Sequence, residues 1–293
     1  MLIKTISAEA GAELKVGYLF DDENEHTVLF FNAVGMKVET LYQMAKRYFE
    51  NGVNFITWEH RACPGDGSHD SDFVMNTQLR DAKNIADAFK LQSVNIFGWC
   101  TGASIAIKFI DEHSSLVRKA AFIDGAFLFD GVPGGDLGNA MFEMCTVIND
   151  NESSLDYFHE ATQPNDQKLK MLGLERAKWL EELVIYPYMG PKARLRNYCK
   201  AIVQSCAFDP MDSLVRISCP CLVFGVKNDR MVDYVNAVRA YEAIKDCRLI
   251  LTKEGGHYNF FLSPELQTLA LSFVKNSNGG SFLPNKEDFA CAK

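Results

Sequence analysis

Short apolar runs alternate with helically spaced segments along this chain, and that alternation restricts its possible folds more than any other feature. Residues 27–31 (TVLFF), 54–58 (NFITW), 93–97 (SVNIF), 120–123, 221–226 (CLVFGV) and 248–251 have the length and the β-branched or aromatic content of strands. Residues 40–51, 79–91 and 103–113 space their apolar side chains as helices do. In the first of these Leu41, Met44, Ala45 and Phe49 share a face, and Gly52 ends it. Strands separated by helices imply βαβ units and a parallel sheet, hence an α/β fold. The runs are nearly continuously apolar, as strands covered on both faces are. Residues 3–19 supply one or two antiparallel edge strands in this reading. Between 130 and 211 the strand pattern stops, and aromatic-rich, helix-like stretches such as 169–184 replace it. The organisation expected is a core from 1–129 and 212–275, a helical cap from 130–211, and a loosely packed or extended tail from 276–293.

A chain of 293 residues with 47% hydrophobic content can bury a large core. Its 30 basic and 38 acidic residues leave a net charge of −8. That balance argues against a partner gripped through phosphates, and so against nucleic acid or a polybasic hold on anionic lipid. No window reaches 18 apolar residues, and the first ten residues are too broken by polar ones for a signal peptide; a cytoplasmic protein with no membrane span is expected. Nine cysteines lie at 63, 100, 145, 199, 206, 219, 221, 247 and 291. The count is odd, and a chain this long needs no disulfide staples. Cys219 and Cys221 are the closest pair, and no second pair with metal-ligand spacing accompanies them. His60, Cys63 and His69 match no standard ligand pattern either, so no metal and no cofactor are expected. The glycine-rich stretch 131–138 lacks the Lys and Ser/Thr of a phosphate loop and reads as a flexible entry to the cap.

One cysteine stands apart. Gly98-Trp99-Cys100-Thr101-Gly102 follows a strand and opens a helix, the setting of a nucleophile elbow with Cys in place of Ser. With 20 glycines and 9 cysteines, random order would produce G-x-C-x-G only about 0.04 times in this chain. The flanking glycines let the chain turn sharply enough to lift the central side chain clear of the backbone, and the helix N-terminus favours a thiolate there. A nucleophile needs a base and an orienting acid. Asp229 follows the strand at 221–226 and His257 follows the strand at 248–251, which is the order nucleophile, acid, histidine. The other downstream histidines fit less well: His113 sits at the far end of the helix after the elbow, ~20 Å from Cys100, and His159 sits in the cap.

These motifs resemble the α/β-hydrolase fold superfamily over roughly residues 1–275. Asn32-Ala33-Val34-Gly35 is similar to its oxyanion segment, with Asn32 and Ala33 where His and Gly are usual. Glu59-His60-Arg61 resembles its Asp-x-Arg-Gly, and 130–211 its cap. The resemblance implies a mostly parallel central sheet flanked by helices, with a helical cap insertion. It assigns Cys100 as nucleophile, His257 as base and then acid, and Asp229 as the orienting acid. Asp124 is the alternative acid, because some members place it after the earlier strand. It also makes the N–H groups of Thr101 and Val34 the oxyanion donors, with Ala33 N–H as the alternative.

A cysteine nucleophile changes the expected chemistry. An acyl-S-enzyme keeps thioester reactivity, so water, an amine, an alcohol or a thiol can take the acyl group. That favours an acyl-thioester hydrolase or acyltransferase acting on a substrate carried by CoA or by an acyl or peptidyl carrier protein. Lactone or C–C bond hydrolysis of the dienelactone-hydrolase type is the alternative enzyme, and a non-catalytic binding protein on the same fold is the alternative from another class. Trp99 and Met36 near the nucleophile, and Trp179 with Met141, Met144, Phe142, Tyr186 and Tyr188 in the cap, are the candidate substrate-binding residues. Lys192, Arg194 and Arg196 form the one basic cluster suited to an acidic carrier. The oligomeric state is left open.

Overall fold

The computed structural model describes residues 1–61, 73–129, 134–163, 165, 167, 170, 186–205, 207–276 and 290–292. Its strands are β1 (Leu2–Ser7), β2 (Glu13–Leu19), β3 (His26–Phe31), β4 (Val53–Trp58), β5 (Val94–Trp99), β6 (Val117–Ile123), β7 (Cys221–Val226), β8 (Cys247–Thr252) and β9 (Ala290–Ala292). They form one sheet in the order β1-β2-β4-β3-β5-β6-β7-β8-β9. The pairs from β4 through β8 are parallel, and β1, β2 and β9 join antiparallel at the two sides. This is the mostly parallel α/β-hydrolase sheet that the sequence implies.

Every residue of β3, β4, β5 and β7 is buried, because helices cover both faces. Successive side chains go to opposite faces. Leu29, Ile96, Phe122 and Val223 pack with α2 (Met75–Ala88) and α3 (Thr101–Glu112). Val28, Phe30, Phe97, Ala121 and Leu222 pack with Met44 and Ala45 of α1 (Tyr42–Glu50), and with the C-terminal helix described below. The cap region holds α4 (Asp136–Asp150), α5 (Leu155–Ala161) and α6 (Lys192–Ser205), with α4 and α5 packed on α6. The core resumes with α7 (Met211–Arg216), α8 (Val235–Ala243), α9 (Asn259–Leu262) and α10 (Pro264–Lys275), whose Leu269 and Phe273 reach the second face. No helix among the described residues is long and apolar enough to cross a membrane.

Several boundaries differ from the periodicity by a few residues. Residues 40 and 41 belong to a 3-10 turn (Val38–Leu41) ahead of α1. The second helix runs from Met75 to Ala88 where 79–91 is expected: Phe89 caps it, and Lys90 takes a left-handed φ of 54°. Part of the tail pairs with β8 as β9, Leu249 opposite Ala292. The helix expected at 169–184 lies outside the described residues apart from 170.

The strand order fixes where a site can form. Strands β4 and β5 lie on opposite sides of β3, so the connections leaving β3 and β5 diverge and open a crevice at their carboxyl ends. Phe31 pairs with Gly98 at that edge, which brings the 32–35 segment beside the elbow.

Candidate active site

Cys100 sits in the crevice on a strained backbone, φ 51° and ψ −125°, directly before α3. The glycines around it are required by contact. A Cβ on Gly98 would lie 2.6 Å from the Ala103 Cα, and one on Gly102 would strike the carbonyl oxygens of Phe31 and Asn32. Three backbone hydrogen bonds hold the turn. Cys100 N–H donates to Ile123 O, and Cys100 O accepts from the N–H groups of Ala103 and Ala126, all at 3.0 Å. The Ser104 hydroxyl donates to Ala126 O at 2.8 Å.

Asp229 and His257 come from the loops after β7 and β8. The Asp229 carboxylate accepts from Met231 N–H at 2.7 Å and Val232 N–H at 3.1 Å through one oxygen. Its other oxygen lies 2.7 Å from His257 Nδ1. Gly255 and Gly256, both at positive φ, shape the histidine loop, and Gly256 N–H donates to Asn228 Oδ1 at 3.0 Å. The His257 ring packs against Trp99 and Tyr258 and lines the same cavity as Cys100. Thiol, imidazole and carboxylate are thus gathered at one site. Burial opposes a charge on His257. The charges of Asp229 and Cys100 and their hydrogen bonds outweigh burial, and the imidazole pKa rises well above its ordinary value.

Asp124, the alternative acid, also reaches this cluster. Asp124, Asp229 and His257 each place a polar atom within 4.8 Å of the others. The 2.7 Å Asp229–His257 contact is a hydrogen bond, which a metal bound at Nδ1 would displace. Both Asp124 oxygens lack a hydrogen-bond partner among the described residues. Burial first, and the Asp229 charge second, push the Asp124 carboxyl well above its ordinary pKa, so it stays protonated.

The 32–35 segment is clamped from within. Asn32 is fully buried; its Nδ2 donates to Lys37 O at 3.1 Å, and its Oδ1 accepts Ala33 N–H at 2.9 Å. His60 Nε2 lies 2.8 Å from Asn32 O and must donate to it, since a carbonyl only accepts. Burial lowers the His60 pKa to about 4, so the ring is neutral and serves as a prop for this segment. The adjoining Arg61 holds Asp81 of α2 with two bonds of 2.8 and 2.7 Å, both side chains buried. Val34 N–H, the expected oxyanion donor, is itself engaged: it donates to Thr101 Oγ1 at 2.9 Å. Of the metal candidates, Cys63 and His69 lie outside the described residues.

A cavity of about 50 Å³ opens on Cys100 and is lined by Ala33, Val34, Met36, Thr101, Trp99 and His257 from the core. The cap closes it with Met141 of α4, Tyr188, and Tyr198 and Ile202 of α6. Tyr188 and Tyr198 both direct their hydroxyls at the Met141 sulfur, at 3.2 and 3.3 Å. Trp99 and Met36 therefore line the cavity, as expected, whereas Trp179 lies outside the described residues. Tyr198 and Met231 are additions that the sequence reading missed. Tyr198 shares the buried face of α6 with Leu195, Cys199 and Ile202, so its helical spacing reads as packing only. The cap also docks on the acid loop. Leu137 N–H donates to Arg230 O at 2.9 Å, and Arg230 pairs with Asp136. The basic cluster is paired locally: Lys192 with Asp156 at 2.6 Å, Arg196 with Glu152 at 2.7 Å, and Arg194 with Met189 O at 2.7 Å. His159 Nε2 donates to Gly190 O at 2.9 Å, and His113 packs on Phe109; neither lines the cavity.

Comparison with known proteins agrees with this architecture. A protein of Rhizobium rhizogenes (strain K84), "Putative carbamate hydrolase RutD", is 24% identical over 213 residues, 72% of this chain and 78% of that protein. An esterase from Exiguobacterium antarcticum superposes with a TM-score of 0.70 at 20% identity, over 94% of this chain and all of the esterase. The enol-lactonase from Burkholderia xenovorans LB400 does so with 0.71 at 14% identity, over 93% of this chain and all of the enzyme. At such identities the superpositions speak for the fold. A sequence model of the family described as alpha/beta hydrolase fold matches residues 27–264, which is most of the chain. The chain belongs to the alpha/beta hydrolase fold family.

Proposed function

We propose that this protein is an acyl-thioester hydrolase or acyltransferase that works through an acyl-S-Cys100 intermediate. The observation that carries the reading is the 2.7 Å bond of His257 Nδ1 to Asp229, with His257 and Cys100 lining one cavity. In the first half-reaction His257 holds the Cys100 proton while Sγ attacks the carbonyl carbon, and the C=O electron pair moves onto oxygen. The tetrahedral species collapses with loss of the substrate thiolate, which takes that proton from His257. In the second half-reaction His257 removes a proton from water or another acceptor, the acceptor bonds to the acyl carbon, and Cys100 leaves. Asp229 keeps the imidazole in the tautomer that presents Nε2 to the sulfur and balances the imidazolium formed at each step. The thiol leaving group belongs to CoA or a carrier protein in this reading. The small, mostly apolar cavity suits a short acyl group.

Incubation with acyl-CoA and acyl-carrier pools, followed by intact-protein mass and free-thiol release, tests the reading. An acyl adduct on the wild-type protein that disappears in Cys100→Ala, together with loss of turnover, is the expected result. Full turnover by Cys100→Ala would sink it. Enol lactones and β-diketones assayed beside the thioesters separate this activity from lactone or C–C bond hydrolysis.

A further inference from the structure

The 32–35 segment raises a question that the triad leaves open. A tetrahedral oxyanion at Cys100 needs two donors. The first N–H groups of a helix have no partner inside it, so Thr101 N–H at the start of α3 is free to serve as one. Neither of the two expected amides of the neighbouring segment is free. Ala33 N–H is held by Asn32 Oδ1, and Val34 N–H by Thr101 Oγ1, both at 2.9 Å. Asn32 is fixed in turn by Lys37 O and His60, which lock this arrangement from two sides.

The Thr101 side chain is the exception. It is buried, it lines the cavity beside Cys100, and its oxygen accepts a hydrogen bond from Val34. Among the described residues its own O–H has no acceptor. A hydroxyl that accepts from an amide is polarised and becomes a stronger donor. We propose that the Thr101 hydroxyl is the second oxyanion donor, passing the polarity of the Val34 amide to the reacting oxygen instead of letting that amide reach it. Thr101 then supplies both donors, N–H from its backbone and O–H from its side chain. No proton is transferred: as the Sγ–C bond forms and the C=O pair moves to oxygen, the O–H only bonds to the charge that develops. The proposal rests on the acyl-transfer reading above.

The test uses Thr101→Val and Thr101→Ser in the full chain, with two readouts. One is steady-state turnover of an acyl thioester. The other is affinity for an aldehyde or trifluoromethyl ketone of the same acyl group, which forms a tetrahedral adduct on Cys100. Alkylation by iodoacetamide, which develops no oxyanion, reports the thiol alone. Thr101→Val is expected to lower kcat and weaken the adduct by about 10²–10³-fold, the usual effect of one lost donor, with KM and alkylation rate little changed. Thr101→Ser should recover most of the loss. Thr101→Val also frees Val34 N–H. If that variant turns over and binds the adduct as the wild type does, the amide itself is the donor and the proposal is overturned. Parallel loss of alkylation would overturn it too, by placing the effect on the thiol. A wild-type protein that forms neither acyl enzyme nor adduct removes the acyl-transfer reading, and this proposal with it.

Discussion

Asp124, from the loop after β6, and Asp229, from the loop after β7, reach the same imidazole, and with His257 they bring one polar atom each within 4.8 Å of one another. Both are buried, at 3% and 8% exposure. Their surroundings treat them in opposite ways. Asp229 accepts two backbone N–H groups through one oxygen and the His257 ring through the other, so each of its oxygens has a donor. Asp124 accepts nothing, and burial together with the Asp229 charge keeps it protonated. The difference teaches that donors, and not depth or proximity to the histidine, decide which carboxyl can act as a charged orienting acid. The acid loop also carries the cap, through Leu137 N–H on Arg230 O and the Arg230–Asp136 pair, so the charged partner sits on the better braced of the two loops.

The sharpest way to break this contrast is Asp229→Asn. With the amide in place of the carboxylate, His257 loses both its preferred tautomer and its counter-charge, and kcat/KM on the proposed thioester substrate should fall by ~10³–10⁴. A fall of less than tenfold in steady-state assays would mean that Asp124 takes over. The double variant Asp124→Asn/Asp229→Asn sharpens the same point. It should be no slower than Asp229→Asn alone, since a neutral Asp124 contributes no charge to begin with. A further drop on adding Asp124→Asn would show that the two loops share the role. Asp124→Asn by itself should change kcat/KM by less than about tenfold.

The sequence already separates much of this. The runs TVLFF, NFITW and CLVFGV fall within or on β3, β4 and β7, because strands covered on both faces leave an unbroken apolar signature. The elbow is readable because Gly98 and Gly102 answer to backbone contacts only a few ångströms away. The two N-terminal strands are visible as an antiparallel edge. What periodicity cannot carry is pairing between side chains far apart in the chain. Thr101 and Val34 are 67 residues apart, and nothing in either neighbourhood signals that their hydrogen bond occupies an expected oxyanion donor. The sequence sets His60 aside as a metal ligand without giving it a role; its bond to Asn32 O, 28 residues away, shows it to be a prop. The sequence ranks Asp229 ahead of Asp124 only by chain order, and the count of donors around each gives that ranking a physical cause.

That separation has a thermodynamic consequence, which is the smallest effect and the most direct check on Asp124. Burial and the Asp229 charge raise the folded-state pKa of Asp124 above its unfolded value, with His257 pulling weakly the other way. The folded chain therefore binds this proton more tightly than the unfolded chain does. Below the unfolded value, near pH 4, both states are protonated and Asp124 costs nothing. As pH rises above it, only the unfolded state gives up the proton, and stability is lost progressively until the folded pKa is reached. Asp124→Asn is neutral in both states and escapes this loss. Its melting temperature should match that of the wild type near pH 4 and exceed it increasingly towards pH 8, by roughly 2–4 °C for each kcal/mol recovered. Thermal melts of the two proteins across that range measure the gap. A gap that does not change with pH would mean that Asp124 is ionised in the fold and has found a donor. The two loops would then differ in position and not in charge, and a large effect of Asp229→Asn would need a geometric cause.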